Sequence, residues 1–305
     1  GDNTECQISP SLPREKLDCF TRFTIKDEQN RLCIPVAVTC GSYCTLYLVV
    51  NPEDKNRNQL MFSASYIHDK EKLPEIIYTR TDSHITTLYG DYEGSYIIYS
   101  DGSYSYVSYN LIKTYPFVLD KKFLKTGEIP IRFALHCVNY TLTSKGNVYF
   151  YDSYLINDLE SIEIVDIVSS INRCFAISNK GKVYVSASNN DEYHGLGKCV
   201  KGTFNFTELE CLKEYEIVAA STSWFHTLFL TKTGKVLAMG SNKDGELLLE
   251  SGPSNEPFYF PVETSIKENA CEIFTSNYVS AVFCGYTPPN STNRKMMQDY
   301  IIPNY

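Results

Sequence analysis

Over 305 residues the chain carries 36 acidic against 28 basic side chains, a net charge of −8. That balance works against a nucleic-acid partner, because such binding draws on Lys and Arg neutralising phosphates. Hydrophobic residues at 43% and charged residues at 21% exclude a disordered chain, and the longest apolar stretches, such as Leu46 to Val50, fall far short of the ~18 residues of a membrane helix.

The aromatic share of 13%, with 24 Tyr and 16 Phe beside a single Trp, points to strands. The chain starts with Gly and shows no charged-then-apolar leader, so it reads as a processed protein or a piece of a longer one. Residues 1–32 lack a turn motif, but Phe20-Thr-Arg-Phe-Thr-Ile alternates like an edge strand. A worn repeat then begins. Its first copy is Val36-Ala-Val-Thr-Cys40-Gly41-Ser-Tyr-Cys44-Thr-Leu-Tyr-Leu-Val-Val, with its turn expanded into the polar stretch Asn51 to Asn58. The second runs from Ile85 to Gly90 and from Ser95 through Asp101-Gly102. The third runs from Ile131 through Lys145-Gly146 to Phe150, and the fourth from Val165 through Lys180-Gly181-Lys-Val to Gly195-Leu196-Gly197. The fifth is the most legible, from Ile217 through Trp224-Phe225-His226-Thr and Thr233-Gly234-Lys-Val to Gly240-Ser-Asn242-Lys-Asp-Gly245-Glu-Leu247. A partial sixth spans Cys271 to Cys284.

Gly102, Gly146, Gly181 and Gly234 stand at one point of successive hairpins, where a tight turn needs φ > 0. Strand, crossing, strand, Gly turn and strand make most of one propeller blade. The reading is therefore an all-β propeller of six to seven blades in one domain over 1–305. Its repeats lie at about 33–80, 84–128, 131–162, 165–213, 217–264 and 271–305. The 1–32 segment is expected to complete the last blade, closing the ring with strands from both chain ends.

The repeat resembles that of the regulator-of-chromosome-condensation propellers. His226-Thr227, Thr233-Gly234, Gly240-Ser-Asn242 and Gly245-Glu-Leu247 match one copy of that pattern, and Cys40-Gly41 and Gly195-Leu196-Gly197 match fragments of others. At the repeat's His position the other copies have Cys44, Gly94, Val138 and Arg173. The resemblance implies a scaffold of interaction loops, and it implies guanine-nucleotide exchange on a small GTPase as an alternative function.

Chemistry is hard to find in the residues. The five His, at 68, 84, 136, 194 and 226, are too scattered for a metal pair, and Cys40-x-x-x-Cys44 has no second half. His136-Cys137 would point to opposite faces of a strand. Gly181-Lys182 and Gly234-Lys235 lack the spacing of a phosphate loop. His226 reads as a buried ring bonded to a neighbouring loop. No catalytic residue, metal or cofactor is expected.

The expected function is non-enzymatic: a rigid frame presenting blade-end loops to a protein partner. Candidate contacts are the aromatic residues Tyr193, His194, Trp224 and Phe225 and the acidic Asp191, Glu192, Asp244 and Glu246. Eleven Cys cannot all pair within one chain, and Cys40, Cys44, Cys137, Cys174 and Cys284 fall in apolar strands, which favours reduced thiols and a cytoplasmic home. Three acceptor sequons, at Asn139, Asn205 and Asn290, support the alternative of an extracellular module.

Overall fold

The computed structural model describes residues 25–26, 31–40, 44–51, 54–64, 75–78, 85–90, 94–108, 113–117, 127–134, 139–150, 154–170, 173–187, 205–276 and 278–285. These form six antiparallel sheets in two compact units, one within Gly1–Leu119 and one within Asp120–Thr292. Among the described residues no helix is long and apolar enough to cross a membrane.

The first unit has two sheets whose strands follow in chain order. One contains β1 (Ile25–Lys26), β2 (Leu32–Cys40), β3 (Cys44–Asn51), β4 (Asp54–Ala64) and β5 (Glu75–Tyr78). The other contains β6 (Ile85–Gly90), β7 (Gly94–Tyr99), β8 (Tyr104–Ser108) and β9 (Lys113–Phe117). One expectation changes here. The polar stretch after Asn51 is not an expanded turn: Asn51 pairs with Asp54 and Val50 with Asn58, so the ladder to β3 claims residues whose composition reads as loop. Ile25 pairs with Cys33 and Lys26 with Leu32 in the first sheet, the pairing that closeness in sequence favours. Phe20 to Thr24 lie outside the described residues.

The second unit holds four sheets: β10 (Pro130–Ala134), β11 (Tyr140–Thr143), β12 (Val148–Phe150) and β13 (Tyr154–Leu155); β14 (Ile164–Ser170), β15 (Arg173–Ser178), β16 (Val183–Ala187) and β17 (Thr207–Glu208); β18 (Ile217–Thr222), β19 (His226–Thr231), β20 (Val236–Asn242) and β21 (Ser254–Glu263); and β22 (Ala270–Ser276) with β23 (Val279–Cys284).

The apolar runs of the middle strands follow from burial on both faces. Every residue of β15 and β19 is buried. Alternation sends successive side chains of one strand into different cores. Phe229 joins Phe175, Ile177, Val185 and Met239 between the fourth and fifth sheets, while Leu228 and Leu230 join Val236, Leu247 and Ile273 between the fifth and sixth. Phe175 and Phe229 meet edge to face at 5.4 Å. Single-turn 3-10 segments at Asn157–Leu159 and Glu210–Leu212 drop Leu159 and Leu212 into the flanking cores.

One irregularity recurs in every sheet. The first long strand slips register, between Pro35/Ala37, Ile85/Thr87, Pro130/Arg132, Ile164/Asp166, Ile217/Ala219 and Ala270/Glu272, in the last five at the strand's second residue. This is one β-bulge repeated six times, and it turns Ile131, Val165 and Val218 outward.

The turn glycines lie at the same end of the sheets as the bulges. Gly102, Gly146, Gly181 and Gly234 have φ of 81°, 77°, 73° and 82°. A second demand comes from the next sheet. The carbonyls of Gly146, Gly181 and Gly234 accept the N–H of Ile164, Ile217 and Ala270, each the first residue of the following sheet. At that approach a Cβ on Gly181 would stand 2.9 Å from both the Glu216 Cα and the Ile217 nitrogen. By contrast, Gly252 shares the positive φ with nothing within 4 Å of such a Cβ. Gly252→Ala should therefore cost about 1–2 kcal/mol, the left-handed penalty alone, and Gly181→Ala about 1–3 kcal/mol more. Urea unfolding of the two variants measures the difference.

Candidate functional site

The opposite end of the fifth and sixth sheets is built by the tips joining β18 to β19 and β22 to β23. At the first tip, the Ser223 Oγ accepts the N–H of Phe225 at 3.4 Å and of His226 at 3.3 Å. That local bonding turns the chain sharply and leaves Trp224 and Phe225 half-buried at the apex.

His226, the first residue of β19, is fully buried. Its Nδ1 lies 2.9 Å from the Ser223 Oγ and its Nε2 2.8 Å from the Ser280 Oγ on β23. Ser280 spends its one proton on the Glu246 carbonyl at 2.6 Å, so its oxygen accepts from His226. The network therefore assigns the Nε2–H tautomer, with Nδ1 accepting from Ser223. Burial pushes the imidazole down to about 4, with Glu246 opposing that shift and Arg173 adding to it. The expected bond from His226 to a neighbouring loop exists, but its partner is a hydroxyl on the next sheet.

Arg173, first residue of β15, stands where His226 stands in the following sheet. It is buried and also reaches one sheet onward: Nη2 donates to the Ser223 carbonyl at 2.6 Å and Nε to the Thr222 Oγ1 at 3.1 Å. Ser170 donates to the same Ser223 carbonyl at 2.6 Å. Between the fifth and sixth sheets, Ser221 Oγ lies 3.0 Å from Thr275 Oγ1 and accepts the Thr275 N–H at 2.9 Å. Side chains from three consecutive sheets thus hold the two tips together.

On this clamp rests an aromatic stack. Phe225 lies nearly parallel to Tyr278, with centroids 5.2 Å apart, and edge to face with Trp224 at 6.3 Å. Tyr278 and its neighbour Val279 are 59% and 62% exposed. Tyr278 carries no motif, and only the convergence of two tips distant in sequence makes it part of the site.

Asp244 is exposed in the loop after β20. Glu246 departs from its reading as an outward contact, for it is 3% exposed. Its Oε2 accepts the Asp244 N–H at 2.8 Å, bracing the loop that Ser280 also grips. Burial would raise its carboxyl, but backbone N–H groups, the Ser241 hydroxyl and His226 outweigh that and hold it low. Asp191, Glu192, Tyr193 and His194 lie outside the described residues. Among the described residues, no three His, Cys, Asp or Glu side chains converge as a metal site would require.

A profile of the regulator of chromosome condensation (RCC1) repeat matches residues 217–246, the span of β18, β19, β20 and the Glu246 turn. Among solved structures, human WBSCR16 superposes with a TM-score of 0.75 at 12% identity, over 93% of this chain and 80% of that one. The fold is that of an RCC1-type repeat β-propeller. Prp20p from Saccharomyces cerevisiae, studied for its binding to Gsp1p and histones, follows at 0.64 and 10% identity over 88% and 73%. Yeast RCC1 (Prp20) bound to Kap60 gives 0.61 and 12% over 84% and 68%. No curated protein sequence matches the chain. In this RCC1-type propeller the repeat's His is the tip-to-tip clamp.

The clamp makes stability depend on pH. An unfolded imidazole takes up a proton near pH 6.5, the folded His226 only near 4. Between those values the unfolded chain binds the extra proton, so stability falls as pH drops from about 6.5 toward 4. The lowered carboxyl of Glu246 acts in the same direction, its contribution being lost as pH falls through its folded value. His226→Gln should be less stable at pH 7 and show a pH slope shallower by up to about one proton in that window. Denaturant midpoints across a pH series measure both effects.

Proposed function

We propose that this RCC1-type propeller is a non-catalytic interaction protein that takes its partner on the Trp224, Phe225 and Tyr278 stack. One observation carries the reading: two sheets bring large, partly exposed rings together over a hydrogen-bonded polar base. Aromatic residues anchor interfaces through rigid contact area, and a prefixed base lowers the ordering cost of binding. The Asp244 loop lies beside the stack, because the Ser241 N–H donates to the Phe225 carbonyl at 2.9 Å. Asp191, Glu192, Tyr193 and His194, candidates from the sequence, belong to the same reading as a second contact.

A second reading is guanine-nucleotide exchange on a small GTPase. The similarity to Prp20p, studied for its binding to Gsp1p, favours it. Nucleotide-release assays across a GTPase panel separate the two readings, with accelerated release supporting exchange. We place the protein in the cytoplasm, a reading supported by the free thiols of Cys174, Cys271 and Cys284.

Affinity capture with the wild-type chain should recover a protein partner. Trp224→Ala and Tyr278→Ala should each weaken that complex about tenfold or more while leaving the unfolding midpoint within about 0.5 kcal/mol of wild type for the exposed Tyr278. Lys267→Ala, removing an exposed ion pair with Glu250 in the loop before β22, should change neither.

A further inference from the structure

The sixth sheet carries two cysteines that the interaction reading does not use. In the β22–β23 hairpin, Ala270 pairs with Cys284 and Glu272 with Phe283, leaving Cys271 as the extra residue of the bulge. The flanking pairs Ala270–Cys284 and Glu272–Phe283 face each other, as residues about 4.5–5.5 Å apart at Cα do. A bulge sets two residues opposite one, so Cys271 between them lies next to the residue facing Cys284, near the range a disulfide spans. The Cys271 thiol donates to the Phe283 carbonyl at 3.2 Å, the carbonyl bonded to the Cys284 nitrogen. Its sulfur therefore already lies against the Cys284 backbone. Both residues are half-buried, so a small reagent can reach them, unlike Cys174, which is 2% exposed in the core.

We propose that Cys271 and Cys284 are a redox-sensitive pair, closed into a cross-strand disulfide by a small disulfide of the glutathione class. Cys284, read from the sequence as a reduced thiol in an apolar strand, takes a half-buried place at the open end of the hairpin. Cys271 attacks one sulfur of oxidised glutathione, forming a mixed disulfide and releasing one glutathione thiolate. Cys284 then gives up its proton and attacks the Cys271 sulfur, expelling the second glutathione. Two protein thiols and one glutathione disulfide thus become one protein disulfide and two glutathione thiols. The order follows from environment: burial, then Glu268 and the Cys271 thiol, hold Cys284 above the usual thiol range, so it is the resolving partner. The closed bond would pin the hairpin whose tip carries Tyr278 and Ser280. In a reducing compartment, pairs of this kind serve sensing and not framework.

The whole chain, equilibrated in graded mixtures of reduced and oxidised glutathione, then alkylated and digested, tests this. The expected product is a peptide linked through Cys271 and Cys284 that returns to two alkylated thiols in reduced glutathione. Cys284→Ser should stop at a glutathione adduct on Cys271, and Cys271→Ser should leave Cys284 alkylatable. Persistent alkylation of both in the most oxidising mixture, a wild-type reaction that ends at the adduct, or linkage of Cys271 to another cysteine overturns the proposal. None of these outcomes depends on the binding partner.

Discussion

A single backbone contact sets the spacing of the sheets in the second unit: the carbonyl of a turn glycine accepting the first N–H of the following sheet. It recurs as Gly146 to Ile164, Gly181 to Ile217 and Gly234 to Ala270. The contact requires a left-handed turn, which glycine adopts without a Cβ penalty, and a close approach, too tight for a Cβ at Gly181 and crowded at Gly146 and Gly234. The bulge comes one residue later and twists the strand as it enters the sheet. With the entry point and twist fixed, the middle strands stand between two neighbours, and their alternate side chains fill two different cores. The aromatic tips can be placed only because this other end is fixed.

At the tip end, different side chains do one job. Arg173 and His226 open equivalent strands, and each reaches the next sheet, the first through a charged donor to the Ser223 carbonyl and the second through a neutral ring to Ser280. In sequence, Arg173 looks like decay of the repeat. In structure it is a substitute, since the position asks for a buried donor long enough to cross between sheets. Breaking either clamp would leave buried polar groups without partners, which costs more than the bond itself contributes.

This explains what the sequence could disclose. Turn glycines and apolar runs were legible because each reflects a local rule, the sign of φ or the covering of both strand faces. The span from Ile217 to Glu250 was the clearest because turn, clamp and loop all keep their residues there. The bulges were not legible, for Pro35, Ile85 and Ile217 share no composition that marks a register slip. Nor was the pairing of Ile25 with Cys33, or the strand made from the polar residues after Asn51, because hydrogen bonding to a neighbour decided both. At the site, Trp224 and Phe225 could be singled out by type. Tyr278 could not, since its relevance comes from a contact across more than fifty residues of chain, and the burial of Glu246 depends on a turn whose backbone donors the sequence does not show.

The arrangement separates the residues that hold the frame from those that form its surface within a few ångströms. Ser170, Arg173, Ser223 and His226 are all buried and bonded to one another's strands, so substitution there disturbs the frame. Tyr278 and Val279 are more than half exposed on the β22–β23 tip, and their identity can change at little cost to folding. A frame that tolerates change at its tips while forbidding it one layer below can keep its geometry as its surface changes. Within this chain the glycine contact recurs from sheet to sheet while Arg173 and His226 fill one clamp position with different side chains, so the geometry of the frame rests on a few positions and the sequence between them is free to vary.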